Sequence, residues 1–159
     1  MDSQRYRKHV ETTVTEAGYE ELDRELDDFE SVWQKRTEDP TIGVTEVFAT
    51  VVDAEGFDTD DIAETAEAFR ESLTTVAPSS PGSMENLFGY VVFALADPGE
   101  ELVEFATEEY TVADRRTSVF PLCFDLDAET LYTHAVPRLK GRGFYEKQRL
   151  DAEELFVVE

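Results

Sequence analysis

Three sets of residues in this sequence have the types and spacing to do chemistry. The first is Asp53, Asp97 and Asp125, each of which closes an apolar, β-rich run. If the runs ending at Asp53 and Asp97 are parallel strands, both carboxylates lie at the carboxyl edge of a sheet, where open α/β sheets take their ligands. Joined by Asp125, they could hold Mg²⁺ for phosphate or phosphodiester hydrolysis, with Lys140 or Arg142 neutralising the transferred group. The pattern is not specific, because aspartate is a common turn residue and this chain has 37 acidic side chains.

The second set is a basic run: Arg138, Lys140, Arg142, Lys147 and Arg149, with Tyr145 among them. From Val112 to Leu150 there are seven basic residues, Arg115 and Arg116 included, against five acidic ones; from Thr41 to Thr111 there is one, Arg70, against 16. Arginine forks grip carboxylate or phosphate oxygens two at a time, and Gly141 and Gly143 leave backbone N–H groups open near the start of a helix. The same charges could instead pair with the chain's own carboxylates or with those of a second subunit. Nucleic acid is disfavoured, since neither stripe at 22–33 or 62–76 carries a basic face and the net charge repels polyanions.

The third set is Cys123 and His134. They would make a nucleophile and a general base only if they faced each other, and no third residue is marked out to orient the imidazole. With His9 they are too scattered for a zinc site. The residues around Asp53 to Asp61 lack the ordered calcium loop, Gly141-Arg142-Gly143 lacks the third glycine of a dinucleotide loop, and no phosphate-binding Gly-Lys-Ser/Thr loop is present.

The elements that must position these residues follow from periodicity. The chain has 159 residues, enough for one domain with a substantial core. Fourteen basic against 37 acidic residues give a net charge of -23, yet the apolar fraction of 41% is that of a folding protein. We read the excess as a surface suited to a high-salt cytosol. One cysteine within an apolar run excludes a disulfide framework. The N-terminus has no apolar leader and the apolar runs are strand-sized, which points to a cytoplasmic protein that does not enter membranes.

Tyr6, Val10, Val14 and Ala17 form one helical stripe, and Leu22, Leu26, Phe29 and Trp33 form another, stopped at Glu38-Asp39-Pro40-Thr41. Val44 to Val52 reads as a strand. Ile62, Ala66, Phe69, Leu73 and Val76 mark a helix capped at Asp58 or Thr59, and residues 77–82 a loop. Leu87 to Ala96 is a second buried strand, followed by a short helical face at Leu102, Phe105 and Ala106. Thr117 to Val136 reads as a hairpin, with Pro121 on an edge or bulge because it lacks a donor. Phe144 or Tyr145 to Phe156 makes the last helix, with one of those two rings expected to turn outward.

The order strand-helix-strand-helix-hairpin-helix predicts an α/β or α+β fold with a mixed sheet of about four strands. It also predicts one globular domain over 1–159, with an N-terminal helical segment, 1–37, packed on a sheet core at 43–156. The expected function is a small binding or regulatory domain that recognises a protein partner, or another copy of itself, through Arg138, Lys140, Arg142, Tyr145, Lys147 and Arg149. The alternative is the Mg²⁺-dependent hydrolase, with Asp53, Asp97 and His134 as catalytic groups and Asp53, Asp97 and Asp125 as metal ligands. No cofactor is expected outside that alternative.

Overall fold

The computed structural model describes residues 1–22, 29–40, 43–76, 86–114 and 117–158. Helix α1 (Ser3–Glu16) starts behind Asp2, whose carboxylate accepts the Arg5 N–H at 2.8 Å and so satisfies one orphan donor of the first turn. It buries Tyr6, Val10 and Val14, the stripe seen in the sequence.

The second stripe is not a helix where it is described. After β1 (Glu20–Glu21) the chain returns as β2 (Trp33–Asp39), which runs antiparallel to β3 (Gly43–Asp53) with Trp33 opposite Ala49 and Asp39 opposite Gly43. Leu26 lies outside the described residues. Phe29 and Val32 pack in one core and Trp33 in another, so apolar residues that could share a helix face are divided between two faces of a sheet. Seven paired positions with β3 outweigh a local spacing of three and four. Pro40, expected to end a helix, instead follows the end of a strand.

Helix α2 (Thr59–Val76) follows β3. Asp58 and Asp61 cap it reciprocally, each carboxylate accepting the other's backbone N–H, at 2.9 and 3.0 Å. Then come β4 (Asn86–Leu95), the short α3 (Glu100–Glu104) with a π-helical turn at Phe105–Glu109, β5 (Ala113–Asp114), β6 (Thr117–Asp125), β7 (Thr130–Tyr132) and α4 (Arg142–Leu155). The expected loop at 77–82 lies outside the described residues.

Among the described residues the mixed sheet has seven strands, ordered β1-β2-β3-β4-β6-β5, with β7 also on β6. More than four strands form because β1 and β2 come from the expected helical segment and β5 precedes the expected hairpin. Strands β3, β4 and β6 are parallel. Pro121 lies on the outer side of β6, between the short strands β5 and β7, where its missing donor breaks no ladder.

Helices α1 and α4 cover one face of the sheet and α2 and α3 the other, giving two apolar cores. Helix α2 rides so close to β4 that a Cβ on Gly89 would lie 2.7 Å from Leu73 Cδ1 and 3.0 Å from a Phe69 ring carbon.

Candidate functional site

The segment between β7 and α4 carries the first half of the basic run, and it is tied down by side chains. Gln148, fully buried on α4, accepts the His134 N–H at 3.2 Å and donates to the His134 carbonyl at 2.9 Å, so its amide serves as a one-residue strand. The His134 Nε2 donates to the Pro121 carbonyl at 3.0 Å. A carbonyl only accepts, so that nitrogen carries the proton. Burial pushes the imidazole down to about 4, which the Pro121 bond only partly opposes, and His134 is neutral near pH 7. Its ring stands edge-on to Phe120 at 5.4 Å.

From this anchor the chain reaches Arg138, Leu139 and Lys140, all exposed, and turns into α4 through Gly141 at φ 78°, a left-handed conformation that glycine adopts without strain. Arg142, Glu146, Arg149 and Glu153 then fall on one outward stripe. Glu146 lies 3.8 Å from Arg142 and 4.0 Å from Arg149, and Arg149 lies 3.3 Å from Glu153. Such solvated pairs contribute only about 0 to 1 kcal/mol each, so the guanidinium groups are readily re-paired. A cleft of about 310 Å³ opens here, lined by Val136, Pro137, Arg138, Arg142, Glu146 and Arg149.

Two members of the expected set point elsewhere. Lys147 is 9% exposed, its Nζ 3.2 Å from Asp151 Oδ2, which also accepts the Tyr90 hydroxyl at 2.7 Å. Tyr145 is half-buried with its ring 5.3 Å from Phe120, and burial raises its hydroxyl above the usual tyrosine value. Phe144 meets Phe88 at 5.5 Å, so the two adjacent rings reach the same sheet face on different strands, and neither turns outward as expected. Arg115 and Arg116 lie outside the described residues. Sequence reading did not single out Gln148, Leu139 or Glu146. The available signal for Gln148 was an uncharged amide midway between Phe144 and Ala152 on the inward stripe.

At the carboxyl edge of the sheet, Asp53 and Asp125 do end parallel strands, opposite Ala94 and Leu95 of β4. Their carboxylates serve the backbone. Asp53 Oδ1 accepts the Glu55 N–H at 3.2 Å, and Asp125 Oδ1 accepts those of Asp127, Ala128 and Asp97 at 2.9, 3.1 and 3.3 Å. Asp97 sits at φ 48° in the turn so held. Among the described residues no three histidine, cysteine or acidic side chains come together to hold a metal ion.

Cys123 lies opposite Tyr132, within the register that the hairpin predicts, but it belongs to the core under α2. His134 packs on Phe120, which faces the other side of the sheet, so the two side chains do not form a pair. Burial pushes the Cys123 thiol up to about 12. Among the described residues no helix is long and apolar enough to cross a membrane. No protein-family model matches the chain, and no curated protein matches it in sequence.

Proposed function

We propose that the chain is a binding domain that takes an acidic segment of a partner protein into the cleft between residues 136–142 and the outward face of α4. The carrying observation is that three of the six described residues lining this cleft are arginines, in a molecule of net charge -23. Arginine forks recognise carboxylates bidentately, and Glu146, the one acid among the described residues that line the cleft, is already shared by Arg142 and Arg149, so an incoming carboxylate competes for the same donors. Leu139 at 89% exposure and Leu150 at 54% stand beside these charges and offer the apolar contact that binding surfaces combine with arginine. Lys140 adds to the approach face, while Lys147 and Tyr145 support the helix from beneath. The excess of acid elsewhere suits a cytosol rich in KCl.

The charge distribution gives this binding an unusual salt dependence. With a Debye length of about 10 Å at 0.1 M salt an acidic partner feels the whole repelling molecule, whereas at about 3 Å in 1 M salt it feels only the arginines beside it. Association should therefore quicken as KCl rises. The test is fluorescence anisotropy with a labelled peptide of alternating glutamate and leucine, in dilute and in molar KCl. Saturable binding that R138A/R142A/R149A weakens by about tenfold or more, the equivalent of one charge-assisted contact or more, is the expected result. Equal affinity for the wild type and the triple variant would refute the proposal.

A further inference from the structure

We propose that a second cavity, at the carboxyl end of β3, binds a small organic ammonium ion that carries an apolar group. Strand β2 begins at Trp33, opposite Ala49, so among the described residues its pairing stops short of the outer edge of Thr50 to Asp53. Arg7 from α1 covers part of that edge: its Nη2 donates to the Val51 carbonyl at 3.1 Å, and its Nη1 is held 2.6 Å from Glu30 Oε2. Across from Arg7, α2 contributes Glu64, Thr65 and Ala68, and between the two lies a cavity of about 460 Å³. Helices from opposite faces of the sheet thus meet at the end of a parallel strand, a place and a size that suit a small-molecule site.

The lining selects the ligand's charge. Arg7 is held on both sides, its Nη1 by Glu30 and its Nη2 by the Val51 carbonyl, and with its side chain 15% exposed it is less open to a new anion than the solvated arginines of α4. Asp53 and Glu64 remain; Asp53 uses one oxygen for the Glu55 N–H, and Glu64 pairs with no cation among the described residues. Two carboxylates at a concave, partly apolar wall concentrate cations, the more so in a molecule of net charge -23. Phe29 and Phe57 line the same space, and aromatic faces attract ammonium groups.

The lining also disfavours a bare metal ion. A hard cation takes six or more oxygens, whereas Val51, Val52 and Ala68 present hydrocarbon. An ammonium that donates to Asp53 and Glu64 and lays its apolar part against those residues matches both halves of the surface.

The test uses the full chain in molar KCl, where diffuse attraction to an acidic surface is screened. Phenethylammonium and 3-phenylpropionate, of similar shape and opposite charge, are titrated while amide resonances of Phe57, Thr65 and Ala68 are followed. Saturable shifts with the ammonium and none with the carboxylate are expected. E64Q should weaken the ammonium by about tenfold, as loss of one charge-assisted contact does, and A68F, which fills the cavity, should abolish the shifts. Glu64 is exposed, so E64Q keeps the fold even if A68F does not, as a thermal melt of each variant would show. No saturable shift, equal shifts from the two probes, or binding unchanged in E64Q would each overturn the proposal.

Discussion

His134 shows how one side chain can make the native state sensitive to pH. It is held neutral by burial, with a value near 4, while an unfolded histidine titrates near 6.5. Between those values the unfolded chain takes up a proton that the native chain refuses. Stability is therefore complete above about pH 6.5 and is lost as pH falls, by about 3 kcal/mol on reaching the folded value. Comparison with H134Q cancels every pH-dependent contribution that the two chains share. Urea midpoints measured from pH 7 to 4.5 should fall more steeply for the wild type than for H134Q, and parallel curves would contradict the assignment. At this scale the basic run was legible in the sequence, but the direction of each charge was not. Lys147 follows Arg142 by five residues, about 140° round a helix, and so cannot share its face. Charge counting ignores that phase, and only packing of Phe144 and Gln148 onto the sheet fixes it.

The contact between α2 and β4 is set by the missing side chain of Gly89. An alanine there would press its methyl into Leu73 and the Phe69 ring, both fully buried, and neither can withdraw without opening the core. We expect G89A to cost about 1 to 3 kcal/mol, and L73A to cost less in that background than in the wild type, a coupling that a double-mutant cycle in urea would measure. Helix α2, strands β3 and β4 and helix α4 lie close to the limits expected for them, because each has a long apolar pattern and a clear stop. The 22–33 segment does not, because Leu22, Phe29 and Trp33 fit a helical period by spacing alone while their partners lie across the sheet. Nothing local records that Trp33 will sit opposite Ala49. The carboxyl-edge aspartates were found where sequence placed them, yet their use as acceptors for turn amides depends on loop geometry that a spacing does not contain.

For the whole molecule, the net charge of -23 is a self-repulsion that folding must overcome and that salt relieves. Raising KCl from about 0.2 to about 2 M should lift the thermal midpoint by roughly 10 °C, equivalent to about 3 kcal/mol for a chain of this length. A melt followed by circular dichroism checks this, and a midpoint indifferent to salt would mean that the carboxylates are already compensated. The same molecule also holds the uncharged, β-rich run Val119-Phe120-Pro121-Leu122-Cys123-Phe124, in which Pro121 is the departure from the composition of fibre-seeding segments. Strand β5 ends its pairing at Ser118 and β7 begins opposite Cys123, so among the described residues no strand pairs with the outer side between them. A foreign strand finds little there to template on: the Val119 N–H already donates to Val112, Pro121 has no N–H, and its carbonyl is occupied by the His134 ring. The tie from Gln148 through His134 to Pro121 therefore also withdraws a backbone acceptor with which a foreign strand could pair.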